Sequence, residues 1–118
     1  MIWLTGSSGL LGREVVRLAR AEGRSLLGPG HRVDVTDRGA VLEFAREHRP
    51  RWILGCAAYT QVDAAEGDEA AAMRVNADGP AYLADAAGEV GALLIHVSTD
   101  YVFDGRKAQP YKEDDVPA

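Results

Sequence analysis

Gly6, Gly9 and Gly12 in TGSSGLLG are spaced three apart, directly after an apolar run. In such a turn Gly6 permits a tight change of direction and Gly9 lets the backbone approach a diphosphate. Gly12 lets the following helix pack closely on the strand before it, and the free N–H groups at the helix start attract the anion. The spacing is G-x-x-G-x-x-G and differs from the commoner G-x-G-x-x-G dinucleotide fingerprint. A second group, Ser98-Thr99-Asp100, ends another apolar run. A threonine hydroxyl there can donate a hydrogen bond to an oxygen on which negative charge develops, or it can simply end the strand by bonding to its own backbone. Between these groups lies GPGHR, where a dinucleotide fold would place a carboxylate to hold the adenine-ribose 2′-hydroxyl. With none there, His31 and Arg32 either suit a 2′-phosphate or are solvated loop residues. Asp34 and Val35 follow and can border an adenine ring; Asp34 can equally serve the cap of the next helix.

For these groups to meet, strands must end on them. Met1–Thr5 is an apolar run of strand length, and Leu11, Val15, Leu18 and Ala19 then recur at helical spacing until Gly23 closes the helix. Ser25–Leu27 reads as a second strand. Thr36 or Asp37 caps a second helix with Val41, Leu42 and Ala45 inside and Pro50 past its end. RWILGCAA is a third strand, and the alanine-rich segment from Asp63 to Val90 is helical, interrupted at Gly79 and Pro80. Negative charge at Asp63 and Glu66 suits the start of that helical stretch. Ala92–Val97 makes a fourth buried strand, and from Asp104 the chain reads as loop. Strands and helices alternating at these lengths require right-handed crossovers and a parallel sheet with helices on both faces. The expected architecture is a Rossmann-type α/β fold of about four strands in the order 3-2-1-4.

At 118 residues with 47% hydrophobic residues, the chain has enough for one core and little room for a second domain. Eighteen acidic against thirteen basic residues, with no Lys/Arg-rich stretch, argue against nucleic acid and for a small ligand. Cys56, the one cysteine, has no disulfide partner and no second cysteine to share a metal with, so it reads as a structural thiol in a reducing compartment and no metal site is expected. No apolar run approaches the ~18 residues of a membrane span, and Met1 leads straight into the first strand. A cytoplasmic protein with no membrane partner is the expectation.

The order TGSSGLLGRE, DVTD, CAAYTQVDAAE, VNADGP, HVSTDYVFDG and PYKEDD resembles the amino-terminal part of the dTDP-4-dehydrorhamnose reductases, within the extended short-chain dehydrogenase/reductases. STDYVFDG and AAYTxVDxAE carry this resemblance more specifically than the glycine turn does. It implies an NADPH- or NADH-dependent reduction of the 4-keto group of a dTDP-sugar. Carried over by position, Gly9, Leu10 and Leu11 meet the cofactor diphosphate together with Gly6 and Gly12, and Asp34 and Val35 lie beside the adenine. Ala58, Tyr59 and Thr60 border the ribose and nicotinamide, Thr99 is the active-site hydroxyl, and Asp100 sits with it at the sugar. Asn76 falls where the extended family often keeps an asparagine near the active-site strand, with an ordinary polar helix residue as the equal alternative. Tyr111, Glu113, Asp114 and Asp115 resemble the loop before the family's catalytic tyrosine and are read as ordinary loop residues.

Two departures stand out. Gly55 and Cys56 occupy the start of the family's N-A-A-A-Y-T run, which removes a polar side chain near the third strand. Tyr59, Tyr82, Tyr101 and Tyr111 are followed four residues on by Asp63, Ala86, Gly105 and Asp115, so none begins the family's Tyr-x-x-x-Lys pair. The expectation is therefore a cofactor-binding amino-terminal fragment, residues 1–118, that is inactive alone and exposes an unpaired sheet edge. A non-catalytic binding or regulatory module of the same family and a sugar-nucleotide epimerase or dehydratase are the alternatives.

Overall fold

The computed structural model describes residues 1–118. Four parallel strands, β1 (Ile2–Thr5), β2 (Leu26–Leu27), β3 (Trp52–Gly55) and β4 (Leu93–His96), form one sheet. Between them run α1 (Leu10–Ala21), α2 (Arg38–His48), α3 (Val62–Gly67), α4 (Glu69–Met73) and α5 (Gly79–Val90).

The sheet order is β2-β1-β3-β4, which corrects the expected 3-2-1-4. The expected order needs a long strand two with strand three outside it. Instead β2 is two residues long, because Gly28, Pro29 and Gly30 lead into a 3₁₀ turn at Gly30–Arg32 and Asp34 bonds the backbone N–H of Thr36 at 2.8 Å. The apolar run of β3 pairs with β1 along its whole length, Ile2 opposite Trp52 through Thr5 opposite Gly55.

Trp3 and Ile53 are fully buried against Val41, Leu42 and Ala45 of α2 and Leu83, Ala86 and Ala87 of α5, with Leu94 packed on the same cluster. Paired residues of a parallel sheet share a face, so Trp3, Ile53 and Leu94 define the α2/α5 side. The crossover from β1 to β2 runs in the opposite direction to that from β2 to β3, so a common right hand puts α1 on the other face. Leu4 is fully buried there, outside the α2/α5 cluster. Arg38–Asp85 and Arg46–Glu89 ion pairs join α2 to α5 at the surface, where solvent screens them.

Asp37 is the α2 cap, accepting from the Ala40 N–H, while Asp34 serves the preceding turn. Within α1 the buried positions are Gly12 and Ala19, and Leu11 and Leu18 are about half exposed, contrary to the expected inner face. The turn that Gly12 makes with Gly6 sets the helix rotation. The helical stretch breaks at Gly67–Asp68 and not at Gly79–Pro80. A π-turn at Arg74–Asp78 runs straight into α5, and Pro80 sits in the first turn of α5.

Candidate functional site

The carboxyl ends of β1, β3 and β4 lie side by side, and the chain leaves them through the glycine turn, through Ala58–Thr60 and through Ser98–Asp100. A crevice at such ends is where open α/β sheets bind ligands. Asp34 and Val35, beyond the end of β2, extend the same rim.

Gly6 has φ +67°, and a Cβ on it would fall 2.6 Å from the backbone of both Cys56 and Ala57. The glycine turn thus lies directly on the segment that follows β3. Thr5 Oγ1, nearly buried, accepts from the Ala57 N–H at 3.3 Å and stitches the two strand ends together. A Cβ on Gly12 would meet the Gly6 carbonyl oxygen at 2.0 Å, so α1 rests on the turn itself. Gly9 is the cap of α1 and offers no side chain, and the first turn of α1 carries no acid. The N–H groups of Leu10, Leu11 and Gly12 therefore have no side-chain cap, which leaves the helix start available to an anion.

Sequence reading did not single out Ser7. Its Oγ donates to the Gly28 carbonyl at 3.2 Å, tying the glycine turn to the end of β2. His31 and Arg32 are exposed in the 3₁₀ turn beside it, with Arg32 Nε donating to the Pro29 carbonyl. The Asp34 carboxyl is held below its ordinary range by the Thr36 backbone N–H first and the Thr36 hydroxyl second. Val35 packs on Gly79, where a Cβ would stand 3.4 Å away.

After β3, Asn76 holds the loop. Its Oδ1 accepts from the Tyr59 N–H at 2.8 Å and its Nδ2 donates to the Tyr59 carbonyl at 3.1 Å. The π-turn aims this side chain at Tyr59, so Asn76 is more than a polar helix residue. The space left by Gly55 is taken by His96, whose Nδ1 would lie 2.7 Å from a Cβ there. Cys56 is half-buried, and burial pushes its thiol up, away from nucleophilic use.

Thr99 Oγ1 accepts from the Tyr101 N–H at 3.2 Å and donates to Asp100 at 3.3 Å, which makes it the cap of a 3₁₀ turn over Asp100–Val102. Both bonds are local, and Thr99 remains exposed. The loop behind it is internally braced. Phe103 and Tyr111 stack at 4.3 Å, the Tyr111 hydroxyl donates to Asp104 at 3.0 Å, Lys107 pairs with Asp115, and the Ala118 N–H bonds the Val102 carbonyl. Tyr111 and Asp115 are thus braces of this loop. Seven residues separate Tyr111 from Asp104, a distance at which sequence periodicity carries no signal.

The Arg106 backbone N–H, followed by the Tyr111 hydroxyl, holds the Asp104 carboxyl below its ordinary 3.8. A depressed carboxyl contributes order that is complete above the unfolded value and is lost as pH falls through the folded one. The Tyr111 ring signal, displaced by stacking on Phe103, is therefore expected to hold down to about pH 4 and move to its free position below that. Asp104→Asn should remove the Asp104 share of that acid dependence in an NMR titration, leaving the share carried by Asp115, whose carboxyl Lys107 and the Lys112 N–H also hold below its ordinary range. An unchanged titration in the variant would show that another group controls the loop.

Residues 1–118 match, over their whole length, the family described as RmlD substrate binding domain. The dTDP-4-dehydrorhamnose reductase of Streptomyces griseus is 50% identical over 115 residues, covering 95% of this chain and 38% of that protein. A solved dTDP-4-dehydrorhamnose reductase from Clostridium acetobutylicum superposes with a TM-score of 0.96 at 38% identity, covering 99% of this chain and 42% of that one. Another from Bacillus anthracis, in complex with NADP, gives a TM-score of 0.93 at 36% identity, with coverage of 99% and 42%. The chain spans about two fifths of the length of these relatives.

Proposed function

Because this chain belongs to the RmlD substrate binding domain family, we propose that it is the NADPH-holding part of a dTDP-4-dehydrorhamnose reductase, an enzyme that reduces the 4-keto group of dTDP-4-dehydro-L-rhamnose. The observation that carries this reading is the uncapped start of α1 resting on Gly6, set beside the Asn76-clamped loop and the Thr99 hydroxyl at adjacent strand ends.

The residues present fit a dinucleotide. Gly9 leaves the diphosphate side of the turn open, and Leu10, Leu11 and Gly12 supply N–H donors. Asp34 and Val35 border the adenine, and Ala58, Tyr59 and Thr60 border the ribose and nicotinamide. The rim at Gly28–Arg32 contains no carboxylate, while His31 and the terminal nitrogens of Arg32, whose Nε is taken by the Pro29 carbonyl, are exposed to meet a 2′-phosphate. When bound, the cofactor supplies the hydride. Thr99 turns its hydroxyl proton from Asp100 to the substrate oxygen, and Asp100 contacts the sugar hydroxyls. The backbone of Tyr59, held at both its N–H and its carbonyl by Asn76, keeps the loop facing the crevice.

Titration of the chain with NADPH and NADH, read by nicotinamide fluorescence, tests this reading. Saturable binding is expected, with NADPH tighter by roughly fivefold, about 1 kcal/mol. Arg32→Ala should narrow that ratio while leaving NADH binding unchanged. Absence of saturation with either nucleotide, or tighter NADH binding, would overturn the reading. Mixed with NADPH and dTDP-4-dehydro-L-rhamnose, these residues alone should give no turnover, since none of their tyrosines begins a Tyr-x-x-x-Lys pair.

A further inference from the structure

NADPH and NADH differ by one phosphate on the adenine ribose, so a preference between them depends on where cationic groups stand relative to the bound diphosphate. Here the two sites belong to different segments. The diphosphate side is the glycine turn with the start of α1, while His31 and Arg32 ride on the 3₁₀ turn that follows β2. β2 fixes that turn poorly, because its ladder with β1 stops at Leu27 opposite Trp3. Past Leu27 the bonds of the segment are local: the Arg32 N–H and Nε both donate to the Pro29 carbonyl, and the Val33 N–H donates to the Gly30 carbonyl. One bond joins it to the glycine turn, from the Ser7 hydroxyl to the Gly28 carbonyl at 3.2 Å.

The two segments approach closely at this point. A Cβ on Gly28 would stand 2.8 Å from Ser7 Cβ and 3.1 Å from Ser7 Oγ, and one on Gly30 would stand 3.7 Å from the same oxygen. Ser7 is half-buried in the contact, whereas His31 and Arg32 are exposed. Since Arg32 Nε is tied to Pro29, the guanidinium moves with its turn. We propose that Ser7 is a positioning residue for coenzyme choice: its hydroxyl locks the Gly30–Arg32 turn to the glycine turn and so sets Arg32 within reach of a ribose 2′-phosphate. Ser7 acts through Arg32, because its one hydroxyl proton is committed to Gly28. The diphosphate donors are backbone N–H groups of α1, which rests on Gly6 through Gly12 and not through the Ser7 side chain. A merely structural bond would, when removed, weaken both nucleotides or neither. A lock on Arg32 weakens only the nucleotide that carries the 2′-phosphate.

The inference rests on the dinucleotide reading above. Its test is titration of Ser7→Ala, Arg32→Ala and the double variant with NADPH and NADH, read by nicotinamide fluorescence, with 2′,5′-ADP and 5′-ADP as competitors. In Ser7→Ala the roughly fivefold preference for NADPH should fall below about twofold, with NADH affinity unchanged. Binding of 2′,5′-ADP should weaken by the same factor and that of 5′-ADP should not. Ser7→Ala should have no further effect in the Arg32→Ala background, since two residues that serve one contact are not additive. Gly28→Ala, whose Cβ forces Ser7 off the carbonyl, should narrow the ratio in the same way. An undiminished preference in Ser7→Ala, equal weakening of both nucleotides, or full additivity with Arg32→Ala overturns the proposal and leaves dinucleotide binding standing. A parent chain that binds neither nucleotide overturns the dinucleotide reading, and the proposal with it.

Discussion

Gly12→Ala is expected to lower the melting temperature by about 10 °C and NADPH affinity by more than tenfold. A Cβ at this position falls 2.0 Å from the Gly6 carbonyl oxygen, 2.8 Å from its carbon and 2.9 Å from Ser7 Cα, all backbone atoms with no rotamer to change. Alanine would ordinarily gain up to ~1 kcal/mol over glycine inside a helix. Here α1 must instead move off the turn, and overpacking of this kind costs about 3 kcal/mol. The Leu10 and Leu11 N–H groups move with the helix, so the anion site is lost along with the packing. Gly88→Ala supplies the contrast, because nothing beyond its own helical backbone lies within 4 Å of its added Cβ. That variant should be stabilised by up to ~1 kcal/mol and bind NADPH normally. Thermal denaturation by circular dichroism reads both signs, and a Gly12→Ala melting temperature at or above that of the parent would refute the packing account.

What could be read in advance follows from the range of each interaction. The glycine turn, the α2 cap at Asp37 and the closing glycine at Gly23, with φ +64°, are set by neighbours within a few residues, so residue types alone reveal them. The strand order depends on which run pairs with β1, and no local pattern distinguishes β2 from β3 as its longer partner. The Asn76 clamp spans 17 residues and needs a π-turn to aim it, so the sequence offered only an asparagine in a helical stretch. His96 filling the space at Gly55 joins two strands 41 residues apart, and the glycine alone looked like a loss of contact. Leu11 and Leu18 were assigned inward by helical spacing, which records where apolar residues fall but not which layer covers them.

Asn76→Ala should separate binding from stability in a way that Gly12→Ala does not. The side chain closes a two-bond ring on Tyr59, accepting from its N–H at 2.8 Å and donating to its carbonyl at 3.1 Å. Both backbone groups can turn to water once it is gone, since Asn76 is exposed, so the folding cost is about 1 kcal/mol and the melting temperature falls only a few degrees. Loop order suffers more. Ala58, Tyr59 and Thr60 lose their one side-chain anchor to the π-turn, and a loop that must be ordered on binding lowers affinity by roughly tenfold, about 1.4 kcal/mol. Asn76→Asp discriminates further, because a carboxylate keeps the bond from the Tyr59 N–H but sets a second negative oxygen against the Tyr59 carbonyl. It should therefore bind NADPH as weakly as the alanine variant at neutral pH and recover as the carboxyl protonates below about pH 4, where it can donate. Recovery on acidification is the readout that a purely structural role cannot produce. NADPH affinity within twofold of the parent in Asn76→Ala, with unchanged amide exchange at Tyr59 and Thr60, would mean that the loop is held by its strand alone.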